Sequence, residues 1–206
     1  MKSLLVSVLF IVLALNIKAQ LVIDKSFKID EAQASVRKFI THNKFDFALV
    51  SWTVSNRVKT HYYFQGLVKQ DGKWYLIKIS SPIISIINSY KLLNNSKKLS
   101  KKELNLVKKV LKIDSTFIYS QDDISSLPDI CQYIKNGKQR GLLSVSDGGK
   151  WCLVKYEKNK FTSLSSYAPN AYLQNCYPYV PEFGKLKGLV NTSVGFWKVF
   201  KDFNLE

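Results

Sequence analysis

The chain has 206 residues, and 31 lysines and arginines against 15 aspartates and glutamates set a formal net charge of +16. Only Arg37, Arg57 and Arg140 are arginines, which leaves 28 lysines (31 − 3), so the planar fork favoured for phosphate and guanine contacts is scarce and nucleic acid is not the expected partner. With only His42 and His61, a multi-histidine zinc site is excluded, and the absence of any Cys-x-x-Cys spacing removes thioredoxin-like chemistry; no metal or cofactor is expected.

The N-terminus carries the three parts of an export signal in order. Lys2 gives a positive start, residues 4–15 (LLVSVLFIVLAL) an apolar run, and Ala19 a small residue for cleavage. A spanning helix wants roughly 20 apolar residues, so this run reads as a signal peptide over 1–19 rather than an anchor. The expected mature chain, 20–206, is then a single exported domain, periplasmic or extracellular, with no further hydrophobic stretch of membrane length. Its charge is +14 once Lys2 and Lys18 are removed.

Residues 30–42 read as a helix, with Asp30 and Gln33 in capping-box positions and Val36, Phe39 and Ile40 as its apolar stripe. A strand is expected over 45–55. Next comes a β-hairpin over about 60–80, because Asp71-Gly72 between two β-rich arms tolerates the positive φ angles of a tight turn. Its second arm alternates Trp74, Leu76 and Lys78 with Tyr75, Ile77 and Ile79, which predicts a strand covered on both faces. Residues 83–93 suggest a short helix. Residues 101–113 form a clearer one, apolar on one half and lysine-rich on the other. A short strand over 115–119 and a polar loop over 120–129 are expected to follow.

The second expected hairpin spans 140–157, with Asp147-Gly148-Gly149 at its turn, and a strand over 160–166 continues it through Lys158-Asn159. Residues 72–79 and 149–156 match without gaps (GKWYLIKI and GKWCLVKY), which raises a tandem duplication of a helix–strand–hairpin unit, with halves of about 30–80 and 101–166. Residues 167–181 carry three of the five prolines and read as a structured loop, and 186–203 as a C-terminal helix weakened by Gly188 and Gly195. The fold class is therefore α+β, an antiparallel sheet flanked by helices.

Of the three cysteines, Cys152 alternates with apolar residues in a strand-like run and reads as a buried free thiol. Cys131 and Cys176 are the preferred disulfide pair. No nucleophile elbow, phosphate loop or dinucleotide fingerprint is present. His42 and His61 read as structural or solvated, and Asp122-Asp123 is an adjacent acidic pair. A hydrolase acting outside the cytoplasm would need one of the histidines beside a Ser, Cys or Asp. The segment 167–181 is the best candidate for contact with a protein or glycan, because Tyr167, Tyr172, Tyr177 and Tyr179 alternate with amide side chains. The leading expectation is a non-enzymatic exported binding domain. The lysines raise weak contact with anionic surfaces as a further alternative.

Overall fold

The computed structural model describes residues 32–55, 61–82, 93–128, 131–135, 138–143, 149–177 and 180–205. The expected signal peptide and Tyr179 lie outside them. The fold is α+β, built on a six-stranded antiparallel sheet. Helix α1 (Ala32–His42) leads into β1 (Phe47–Ser55), and the expected hairpin follows as β2 (His61–Gln70) and β3 (Lys73–Pro82). Asp71 and Gly72 both take positive φ, 48° and 73°, which the tight turn between right-twisted strands requires. Residues 83–92 lie outside the described set, and β4 (Leu93–Lys98) pairs with β3. It was not expected as a strand, because LNNSKK is polar after Leu93; such a sequence suits an exposed edge.

Helix α2 (Lys101–Leu111) begins with a complete capping box. Ser100 accepts from the Glu103 N–H while the Glu103 carboxylate accepts from the Ser100 N–H at 2.8 Å. Lys112 ends the helix in the left-handed conformation, and the chain restarts as α3 (Ile113–Thr116). Residues 113–116 are therefore helical where a strand over 115–119 was expected. The β-rich composition yields here to a tertiary bond: the buried Thr116 hydroxyl meets that of Thr192 at 2.7 Å. The expected polar loop over 120–129 also contains a helix, α4 (Gln121–Ser125), capped reciprocally by Ser120 and Asp123.

The second half departs from the expected hairpin. Strand β5 (Cys131–Lys135) pairs with β6 (Lys138–Leu143) in a separate two-stranded sheet, while β7 (Gly149–Glu157) pairs with β1 and with β8 (Lys160–Tyr167). The arms of 140–157 are thus not each other's partners. The tight turn is instead Lys158-Asn159, with φ of 52° and 61°, joining β7 to β8. Residues 30–80 and 101–157 share a leading helix but not a strand order, while 72–79 and 149–156 alternate alike, with Leu76 and Leu153 in one cluster and Ile77 and Val154 in the other. Residues 169–175, expected as loop, form helix α5 (Pro169–Asn175). A 3-10 turn (Pro181–Leu186) then leads into α6 (Lys187–Asp202).

The strand order β4-β3-β2-β1-β7-β8 places β1 and β2 centrally, and both faces are buried. On one face α1 packs Val36, Phe39 and Ile40 into a cluster with Val50, Trp52, Phe64, Ile77 and Val154. On the other, Leu49, Leu67, Leu76 and Leu153 meet Val107 and Leu111 of α2 and Leu189, Phe196 and Phe200 of α6. Trp74 and Leu76 join this second cluster while Tyr75 and Ile77 join the first, the alternation read from the sequence. At the β8 edge, Gln121 imitates a strand: its amide accepts from the Ser165 N–H at 2.6 Å and donates to the Ser165 carbonyl at 3.1 Å. No helix of the described residues is long and apolar enough to cross a membrane.

Candidate functional site

Three of the four tyrosines singled out in the sequence can be placed. Tyr167 closes β8, half-buried against the helical face of the sheet. Tyr172 is buried in α5 and stacks on Phe183, with ring centroids 5.4 Å apart and planes 4° from parallel. Both rings serve the core, as an aromatic payload in a folded segment commonly does. Tyr177 differs. The Lys187 ammonium lies 3.9 Å from its ring centroid and donates to its hydroxyl, and its ring edge rests on Gly184, where a Cβ would approach within 2.8 Å. The bond between Cys131 and Cys176 anchors the end of α5 beneath this region, and the buried Cys176 shows why the segment is firmly seated.

Tyr177 lines a groove of about 580 Å³ between the 112–119 segment, the 3-10 turn and the start of α6. Two close approaches build its floor. Gly184 lets the edge of the Tyr177 ring approach the 3-10 turn, and Gly188 brings α6 against the Thr116 carbonyl. The Thr116 and Thr192 hydroxyls sit there, buried and bonded to each other. Above the floor stand Tyr119, 40% exposed, and Ile118, 68% exposed, two large side chains presented to solvent rather than to the core.

The charge of the groove is one-sided. Lys112, Lys185 and Lys187 line it against Glu182 alone. Lys112 is aimed by its own backbone: its left-handed turn is fixed by the Lys112 N–H donating to the Lys108 carbonyl and by Ser115 and Thr116 hydroxyls donating to the Lys112 carbonyl. Lys185 stands 4.0 Å from Asp123, at the limit of an ion pair. Asp123 is committed elsewhere, since the hydroxyl and N–H of Ser120 hydrogen-bond its carboxylate and hold it below the usual carboxylate range. The Asp122-Asp123 pair is therefore a helix start. Asn191 adds an amide to the lining.

The remaining chemical candidates lie apart from this groove. His42 is exposed at the last residue of α1, and His61 opens β2 with its side chain outside the described set. Cys131 and Cys176 are joined, so neither offers a thiolate. Cys152 is free and buried as expected; burial pushes its thiol up to about 11, far from the range of a nucleophile at neutral pH. Among the described residues no cluster of three or more His, Cys, Asp or Glu side chains forms a metal set.

Sequence reasoning missed Lys112, Tyr119, Lys185 and Lys187. Tyr119 was placed in a strand, and the lysines were indistinguishable from many others. The one local signal is the Gly184–Gly188 spacing, which permits the close packing that shapes the floor. Comparison of the chain with known family models and with curated proteins gives no match to either.

Proposed function

We propose that the chain is an exported, non-enzymatic binding domain whose groove between α3 and α6 takes an acidic glycan. The reading is carried by one observation: solvent-facing Tyr119 and groove-lining Tyr177 stand together with Lys112, Lys185 and Lys187 around a volume of about 580 Å³. A tyrosine face covers the apolar side of a sugar ring at low entropic cost, and its hydroxyl exchanges hydrogen bonds with the ring substituents. Lysine ammoniums neutralise a uronate carboxylate, while the Asn191 amide suits sugar hydroxyls. The disulfide and the lack of a spanning helix among the described residues are compatible with an exported soluble domain.

Calorimetric titration with oligogalacturonide, against a neutral glucan oligosaccharide of equal length, tests this. Binding of the acidic oligomer alone is expected, with at least a tenfold loss in Tyr119→Ala and Lys187→Gln. Each of those residues is exposed, so both variants should fold normally. Equal affinity for the neutral oligomer, or no response to either substitution, would refute the assignment.

A further inference from the structure

We propose that the outer face of the α2–α6 pair is a docking surface for an anionic lipid bilayer, separate from the groove. Three large apolar side chains are exposed there among the described residues: Leu106 (51%), Val194 (48%) and Trp197 (62%). The two helices run antiparallel in one layer, because Gly188 meets Thr116 and Gly195 meets Val110. Val194 and Trp197, three residues apart, share one outward side of α6 with Lys198 and Lys201, and Leu106, one turn before Val110, is exposed on the neighbouring helix of that layer. Its inner side is filled by Val107, Leu111, Leu189 and Phe196 against the sheet, which leaves these side chains to solvent.

Helix α2 alone has a lysine face and no aromatic ring; α6 supplies the ring. A tryptophan among lysines is the pattern of an interfacial surface, in which the indole enters the headgroup boundary and the ammoniums meet lipid phosphates. Lys102, Lys109, Lys198 and Lys201 are exposed around the apolar group, and the one exposed acid of the two helices is Asp202. The Lys201 ammonium lies 5.8 Å from the Trp197 ring centroid, so charge and ring are presented together. A second copy of the chain is a poor occupant, since it would bring two lysine-ringed faces together with too few carboxylates to offset them. An anionic bilayer answers both halves of the surface, the apolar centre and the basic surround.

Vesicle co-sedimentation of the full chain tests the proposal, with phosphatidylglycerol against phosphatidylcholine and the apolar residues 4–15 common to every variant. Binding to phosphatidylglycerol, weakened by salt, is expected to exceed binding to phosphatidylcholine. Each lysine near an anionic surface contributes roughly fivefold, so Lys198→Gln with Lys201→Gln should lower affinity about 25-fold. Trp197→Ser should lower it at least several-fold with an unchanged melting temperature, whereas Tyr119→Ala, in the groove, should bind vesicles as the parent does. Equal binding to both lipids, indifference to the Trp197 and lysine changes, or retention on heparin with no vesicle binding would overturn it.

Discussion

Replacing Gly188 and Gly195 by alanine, one at a time, should separate two roles that glycine plays on a single helix. A Cβ at Gly188 would lie 2.6 Å from the Thr116 carbonyl oxygen and 3.3 Å from the Thr116 C and Cα atoms. Ordinary contact begins near 3.4 Å, so the new atom is about 0.8 Å too close, and the obstacle is backbone that no rotamer change can clear. Overpacking of this kind costs about 3 kcal/mol at the upper end, against a helix-propensity gain below about 1 kcal/mol because Gly188 is in the first turn of α6. The net loss is then about 2 kcal/mol, or roughly 4–8 °C in melting temperature for a chain of this size.

Gly195→Ala meets different neighbours. Its Cβ would stand 3.2 Å from the Val110 carbonyl oxygen and 3.3 Å from Leu111 Cδ2, a shortfall of a few tenths of an ångström that Leu111 can partly relieve. Gly195 is interior to α6, so a propensity gain of about 0.8–1 kcal/mol applies in full and leaves the variant within about 0.5 kcal/mol of the parent. Urea unfolding of the oxidised protein followed by tryptophan fluorescence measures both differences. If Gly188→Ala is as stable as Gly195→Ala, the close approach of α6 to α3 does not limit the fold, and the account of the groove floor fails with it.

The disulfide and the α2 cap make two further predictions. Cys131–Cys176 closes a loop with a sequence separation of 45, so replacing both by alanine should cost about 4 kcal/mol through unfolded-chain entropy, read as a shift of the urea midpoint; a shift equivalent to less than about 1 kcal/mol would show that the bond sits on structure already fixed in the unfolded chain. Glu103 is held down to about 2 from 4.5, first by the Ser100 N–H and then by Lys97 and the Ser100 hydroxyl. Its folded value lies below its unfolded one, so its contribution is complete above about pH 4.5 and is lost as pH falls toward 2. Melting temperatures at pH 5 and pH 3 should therefore converge more closely in Glu103→Gln than in the parent, and an unchanged acid response would remove the cap from the account.

What was legible in the sequence follows the range of the interactions involved. The β2–β3 hairpin is fixed by its own turn, Asp71-Gly72, and could be read locally. The Cys131–Cys176 pairing was reached by assigning Cys152 to an apolar strand face, where it lies buried opposite Trp52 of β1. The second hairpin failed because β7 takes its partner from far upstream, with Phe47 opposite Glu157, and no turn signal encodes that register. Helix α4 escaped notice because its five residues bury only Ile124, too few for any periodicity, although Ser120 and Asp123 held the capping signal. Gly188 and Gly195 weakened the C-terminal helix on propensity grounds; their role lies in contacts with α3 and α2, which propensity does not see.

The same difference in range explains why the tyrosine-rich segment divided as it did. Composition records how many rings a segment has, whereas function depends on what lies over each ring. Tyr172 is covered by Phe183 and belongs to the core. Tyr177 is covered by an ammonium, and it is one of four such pairs on the helical side of the sheet among the described residues: Lys187 on Tyr177, Lys97 on Phe203, Lys108 on Trp74 and Lys201 on Trp197. A lysine attracted to a ring face by about 0.5–1 kcal/mol spends more of its time at one place than a freely solvated one does. Positive charge on this side is thereby concentrated beside apolar surface instead of being spread over a uniform shell. A lysine excess that argues only for solubility in composition is thus held in part beside apolar surface, with the Lys97 ammonium also paired to Glu103 at 2.9 Å.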